Sequence, residues 1–252
     1  MINNETRRKL DEMNLSEVTQ ALEIQNSDPS YQVLSFDERF QLLVDYTYQE
    51  KYTNRVKRLN KTAKFRYPQA NIEDIYYTDR HLDRDKILNI ATCQFMNTNT
   101  NIIIDGFTGS GKTFLACAIG RSACRLGYRT RYIRMPDLLQ MHDEASISVT
   151  GVAKLIKKFE NYTLLIIDEW LMDELSRQQE HFLFELMERR HTDRSTILCT
   201  QYRIEDWHAR LGGGIQADAI IDRIVNNAVH IFAGELNMRR TLSPKDDPAK
   251  EN

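Results

Sequence analysis

The stretch Asn101-Ile102-Ile103-Ile104-Asp105-Gly106-Phe107-Thr108-Gly109-Ser110-Gly111-Lys112-Thr113-Phe114-Leu115-Ala116-Cys117-Ala118-Ile119 reads as strand, loop and helix in turn. Its centre, Gly106 to Thr113, fits the phosphate-binding pattern G-x-x-x-x-G-K-[ST]. Glycines let the backbone curl so that several N–H groups face one centre, and the N-terminus of the following helix adds a partial positive charge. A triphosphate suits that cradle. The expected nucleotide-binding set is Gly106, Thr108, Gly109, Ser110, Gly111, Lys112, Thr113 and Phe114. Lys112 is expected on the β- and γ-phosphates of ATP, and the Thr113 hydroxyl on Mg²⁺.

Working outward, Leu164-Leu165-Ile166-Ile167 is an apolar run that suits a strand buried on both faces. It ends in Asp168-Glu169, at the strand end where open α/β sheets bind ligands. Asp168 is the second expected Mg²⁺ ligand, and Glu169 is expected to polarise the attacking water. Gln201, just past the next strand, is a candidate for contact with the γ-phosphate and that water; Thr200 is the neighbouring alternative. Arg223, in the apolar helix Ala219 to Val225, reads either as an arginine inserted into a neighbouring subunit's nucleotide site or as half of a surface pair with Asp222. Arg239 and Arg240 follow the last strand and are candidates for the γ-phosphate in cis.

The surrounding pattern gives the architecture. Strands are expected at Asn101–Asp105, Arg129–Arg134, Thr163–Asp168, Ser195–Thr200 and Ala228–Phe232, with helices between them. That alternation predicts an α/β fold: a P-loop NTPase three-layer sandwich around a five-stranded parallel sheet, preceded by a small helical N-terminal domain. The expected divisions are 1–70, helical; 71–82, a linker; 83–242, the nucleotide-binding domain; and 243–252, a disordered tail with Pro244 and Pro248 among charges. In the first of these, Ser35-Phe36-Asp37-Glu38 is a capping box, and Phe36, Phe40, Leu43, Val44 and Tyr48 follow at helical spacing. A further helix is expected from Asp83 to Met96.

A chain of 252 residues with 41% apolar residues can build one large core, and its formal net charge of −2 says nothing about nucleic acid. Any basic surface must be local. Lys51 to Tyr67 supplies one: Lys51, Arg55, Lys57, Arg58, Lys61, Lys64 and Arg66, without an acid and with Tyr52, Phe65 and Tyr67 interleaved. On a helix this gives a face able to follow duplex DNA phosphates, against the plain alternative of a solvated helix face. The four cysteines form no C-x-x-C pair and read as reduced core residues. The six histidines are scattered and suggest no catalytic triad. The polar start and the lack of a long apolar run predict a cytoplasmic protein with no membrane partner.

With these residues in hand, the chain resembles the IstB-like AAA+ ATPases, helpers of insertion-sequence transposition related to the DnaC helicase loaders. The resemblance runs from about Leu10 to Arg240 and rests on Ser35-Phe36-Asp37-Glu38-Arg39, Gly127-Tyr128-Arg129-Thr130-Arg131-Tyr132, and Ala219-Ile220-Ile221-Asp222-Arg223-Ile224 followed by Gly234-Glu235. It implies that Asp222-Arg223 is the arginine-finger segment, Gln201 the first sensor and Arg239, or the adjacent Arg240, the second. It also implies binding of duplex DNA with little sequence preference, self-assembly into a ring or helix, and partnership with a DDE-type transposase. Asp168-Glu169-Trp170-Leu171 departs from the two aspartates and Phe-Gly common in the family. The competing readings are a DnaC-like replicative helicase loader, a small-molecule kinase, and a nucleotide-gated DNA scaffold without hydrolysis.

Overall fold

The computed structural model describes residues 3–78, 80 and 82–238. The chain divides into two compact units, 1–58 and 59–252. The helices are α1 (Asn4–Glu12), α2 (Ser16–Ser27), α3 (Phe36–Ala63), α4 (Arg84–Ala91), α5 (Lys112–Arg125), α6 (Met135–Ser146), α7 (Gly151–Glu160), α8 (Arg177–Arg190), α9 (Ile204–Arg210) and α10 (Gly214–Val225). The strands are β1 (Asn101–Asp105), β2 (Thr130–Arg134), β3 (Leu164–Asp168), β4 (Ser195–Thr200) and β5 (Ala228–Phe232).

In the first unit, side chains close the helix ends. The Asn3 side chain accepts from the Thr6 N–H at 2.7 Å, opening α1. At α3 the expected capping box forms: the Ser35 hydroxyl accepts from the Glu38 N–H at 3.3 Å, and Glu38 accepts from the Ser35 N–H at 2.8 Å. The apolar side chains that follow do not close over a core. Phe36, Phe40, Val44 and Tyr48 are exposed, and Phe36 stacks on Phe40 with ring centroids 6.0 Å apart.

The second unit is built on a five-stranded, all-parallel sheet in the order β2-β3-β4-β1-β5. Period-two geometry sends alternate residues to opposite faces. Ile102, Ile104, Leu164, Ile166, Ile197 and Cys199 join one core, with α5. Ile103, Leu165, Ile167 and Leu198 join the other, with side chains from α6 to α10. A strand covered on both faces must be apolar at every position, which accounts for the unbroken runs in β1 and β3. The three-layer expectation holds.

Two expectations meet a different outcome. Within the expected linker, Ile72 and Ile75, with Ala70 just before it, are buried in the same cluster as Ile166, while Glu73 and Asp74 are exposed. Arg121 fastens this segment, donating to the Ala70 carbonyl at 2.9 Å and the Asn71 side chain at 2.8 Å. The division between the two compact units lies after residue 58, inside α3. The helix expected from Asp83 to Met96 stops at Ala91. Cys93 adopts a left-handed φ of 60°, which ends the ladder, and a 3₁₀ turn covers Gln94–Thr98. The tail, 243–252, lies outside the described residues.

All four cysteines are free and buried, in keeping with core roles. Among the described residues no helix is long and apolar enough to cross a membrane.

Candidate nucleotide site

The sheet order explains the site. β4 lies between β3 and β1, so the loops after these three strands open side by side at their carboxyl ends. After β1 comes Gly106 to Gly111, leading into α5 at Lys112. The Lys112 ammonium donates to the carbonyls of Gly106 and Phe107, at 2.7 and 2.9 Å. It is held at the mouth of its own loop. From the other side the loop is closed by Asn237, whose Oδ1 is so near that a Cβ on Gly109 would lie 2.5 Å from it. A side chain there would push Asn237 aside, and the left-handed φ of 84° itself favours glycine.

After β3, Asp168 is 2% exposed. Its Oδ2 accepts from the Thr113 hydroxyl and from the Tyr132 hydroxyl, each at 2.8 Å. Burial first, and the Asp168 charge beside it second, push the Tyr132 phenol well above its ordinary range, so it stays a donor. A hydroxyl and a carboxylate converging in this way suit Mg²⁺, which takes one or two carboxylates and completes its shell with phosphate oxygens and water. Nearby, the Ser110 hydroxyl in the loop is fully buried with no partner among the described residues, another sign that the loop's polar groups fit a polar ligand.

Glu169 is the next residue, in a left-handed conformation with φ of 59°. That turn carries its carboxylate out of the strand line toward two arginines. Arg66 approaches at 3.2 Å and Arg134 at 3.6 Å. Arg134 is fixed in turn by Asp137, at 2.6 Å. After β4, the Gln201 Oε1 accepts from the Thr108 hydroxyl of the loop, and its amide donates to the Met172 sulfur at 2.8 Å. Thr200, the alternative, is buried and engaged: its hydroxyl donates to the Trp170 carbonyl at 3.2 Å and accepts from the Tyr202 N–H at 3.1 Å.

Lys112, Thr113, Asp168, Glu169 and Gln201 are therefore brought together. Arg223 is not. Its backbone carbonyl accepts from the Asn101 side chain at 3.3 Å, at the start of β1, whereas the phosphate loop leaves from the end of that strand. Four strand residues span about 13 Å. The Arg223 guanidinium pairs with Glu188, donates to the Ala219 carbonyl at 2.9 Å and lies 5.1 Å from the Phe184 ring centre. Arg239 and Arg240 lie outside the described residues.

The basic run divides in its surroundings. Arg55, Lys57, Arg58, Lys61 and Lys64 are exposed. Lys51 is partly covered and meets the Asn14 carbonyl and, at 3.8 Å, Glu17. Arg66 is exposed but is drawn onto Glu169. Reading the residues missed Tyr132, Arg134 and the Arg66 contact, because these depend on β2 lying beside β3, with Arg134 opposite Asp168. The alternation in Thr130-Arg131-Tyr132-Ile133-Arg134 was the available signal, but it does not name the neighbouring strand.

Comparison with known proteins agrees with this geometry. The family of IstB-like ATP-binding proteins matches residues 8–244. A Sinorhizobium fredii protein described as an insertion-sequence ATP-binding protein is 32% identical over 97% of this chain and 100% of its own length. A similarly described protein of insertion sequence IS1162 in Pseudomonas fluorescens is 35% identical over 80% of this chain and 87% of its own. Among solved structures, the DnaC helicase loader shares the fold, with a TM-score of 0.56, 22% identity, and coverage of 66% of this chain and 98% of that one. The phosphate loop, the acidic strand end and the match along nearly the whole length lead to one conclusion: the chain belongs to the IstB-like ATP-binding proteins of insertion sequences, with a P-loop AAA+ fold.

Proposed function

We propose that this protein is a Mg²⁺-dependent ATPase that assembles head to tail on duplex DNA and regulates the DDE-type transposase of its insertion sequence. The observation that carries the reading is the gathering of Lys112, Thr113, Asp168, Glu169 and Gln201 at one end of the sheet, with Arg223 tethered at the other end of β1. Lys112 exchanges its loop carbonyls for the β- and γ-phosphates. Thr113 and Asp168 would hold Mg²⁺, which would neutralise phosphate charge as it develops. Glu169, freed from Arg66 and Arg134, polarises the attacking water, and Gln201 orients it. Arg223 completes a neighbour's site, and Arg239 or Arg240 supplies the second sensor.

Head-to-tail contacts of that kind close into rings or continue into helices. The exposed Phe36, Phe40, Val44 and Tyr48 support assembly through the N-terminal helices, since a row of large apolar side chains in water marks an interaction surface. The exposed Arg55, Lys57, Arg58, Lys61 and Lys64 support contact with the DNA backbone. A replicative helicase loader is the second reading, favoured by the fold shared with DnaC. The near-complete match to insertion-sequence proteins favours the transposase as partner.

The test is sedimentation on duplex DNA with ATP, ADP or no nucleotide, alongside phosphate release. ATP-dependent DNA assemblies with DNA-stimulated hydrolysis are expected. A monomer indifferent to both ligands refutes the proposal. Binding to a hexameric helicase, and not to the transposase, moves the reading to the loader.

A further inference from the structure

Arg80 stands just upstream of α4, outside every motif described above, and is 4% exposed. Its guanidinium donates to three main-chain carbonyls from three parts of the chain: Ser110 in the phosphate loop, Ala233 after β5 at 3.2 Å, and Tyr76 at 2.9 Å. Its Nε has no partner among the described residues. Burial lowers its affinity for the proton, and among the described residues no carboxylate contributes to its surroundings. A buried guanidinium met, among the described residues, by carbonyl dipoles alone is costly, so its persistence beside the loop calls for a ligand of opposite charge or a structural duty.

The geometry of one peptide unit indicates which. The Ser110 carbonyl and the Gly111 N–H belong to the same plane and point in opposite directions. Whatever holds the carbonyl outside the loop holds that N–H inside it. Gly111 has a φ of 89°, and glycine by itself lets the unit turn either way. Two other contacts brace the same outer surface: the Met238 N–H donates to the Gly109 carbonyl at 2.9 Å, and the Phe107 N–H to the Gly234 carbonyl at 3.3 Å.

We infer that Arg80 is a positioning residue for the diphosphate of the bound nucleotide: it pins the Ser110 carbonyl outward, aims the Gly111 N–H into the cradle and sets a positive charge behind it. The inference rests on the phosphate loop binding ATP. ATP and ADP share the diphosphate, so Arg80 serves both alike. Lysine keeps the charge, but its three donors share one nitrogen, whereas Arg80 reaches Tyr76 from one terminal nitrogen and Ser110 and Ala233 from the other, so lysine replaces arginine only in part.

The experiment compares wild type with Arg80→Lys, Arg80→Ala and Arg80→Met as full-length proteins. Affinity is read with fluorescent ADP and ATP, unfolding midpoints are taken without nucleotide, and glycine-selective ¹⁵N spectra follow the Gly111 amide. Arg80→Met is expected to weaken ADP and ATP by the same factor, about ten- to a hundredfold, the worth of a charge-assisted hydrogen bond. KM should rise far more than kcat falls. The Gly111 resonance should lose its ADP-dependent shift, and millimolar ethylguanidinium should restore affinity to Arg80→Ala. If Arg80→Met does not fold, Arg80→Lys decides, with an intermediate loss expected. Wild-type ADP affinity in a folded variant overturns the inference. So does a lowered unfolding midpoint with unchanged affinity, which leaves Arg80 a brace of the fold alone. Failure of the wild type to bind either nucleotide would instead sink the ATP-site reading itself.

Discussion

Arg223 gives the sharpest test of head-to-tail assembly. Within its own chain its side chain is worth little. The Arg223–Glu188 pair is partly exposed, at 22% and 41%, and pairs of that kind contribute at most about 1 kcal/mol. Arg223→Ala should therefore lower the unfolding midpoint by no more than about 2–4 °C. Its own phosphate loop is out of reach, because Arg223 is tied to Asn101 and the loop leaves from Asp105, about 13 Å further along β1. If Arg223 serves a neighbour's γ-phosphate, its loss costs about a thousandfold or more in kcat, or about 4 kcal/mol. The two magnitudes do not overlap. The assay is phosphate release by Arg223→Ala, by Glu169→Gln and by an equal mixture of the two. Each variant alone should be nearly inactive. In the mixture, a working interface needs an intact Glu169 from one protomer and an intact Arg223 from the next. Random head-to-tail assembly supplies that at about one interface in four, so about a quarter of wild-type activity should return. No recovery on mixing, with both variants shown to assemble, refutes the argument. So does an Arg223→Ala protein that retains wild-type turnover.

The other expectations are more local. Tyr132→Phe removes one of the two hydroxyls that donate to the Asp168 Oδ2, and should raise the Mg²⁺ concentration for half-maximal hydrolysis about tenfold while ATP affinity without Mg²⁺ is unchanged. Replacing Lys57, Arg58 and Lys61 together by Ala should flatten the log–log salt dependence of DNA binding by about 2–3, measured by titration over a salt series; Arg66→Ala, whose guanidinium lies on Glu169, should alter that slope less. Arg190 is fully buried and donates to the Phe159 and Tyr162 carbonyls at 2.8 Å and to Ser195 at 2.6 Å, so Arg190→Met should cost about 3–5 kcal/mol in urea unfolding. Burial raises the thiols of Cys93 to about 12 and of Cys117 and Cys124 to about 11. The folded protein then keeps protons that the unfolded chain loses above pH about 9, so stability should fall as pH rises beyond that value, and thiol reagents at pH 8 should label only unfolded protein.

Several features were legible in residues alone because their causes are local. The turn from Gly106 to Thr113, the Ser35–Glu38 box and the apolar runs of β1 and β3 each follow from neighbours in the chain: glycine at left-handed φ, a hydroxyl three residues before a carboxylate, and burial on both faces. The strands were located to within a residue for that reason, and Asp168 and Glu169 were visible as acids at a strand end. What joins distant segments was not visible. Strand order put β4 between β1 and β3, which brought Gln201 to Thr108, and put β2 beside β3, which brought Tyr132 and Arg134 to Asp168 and Glu169. The stretch 71–82 follows Pro68 and reads as a linker, yet its Ile72 and Ile75 find a core that exists only once α5 has packed on the sheet. Arg80 carries no local sign of its role; two of its three partners lie 30 and 153 residues away. Local torsional preference and burial period are written residue by residue, whereas a hydrogen bond between remote groups exists only after tertiary packing has chosen which segments meet.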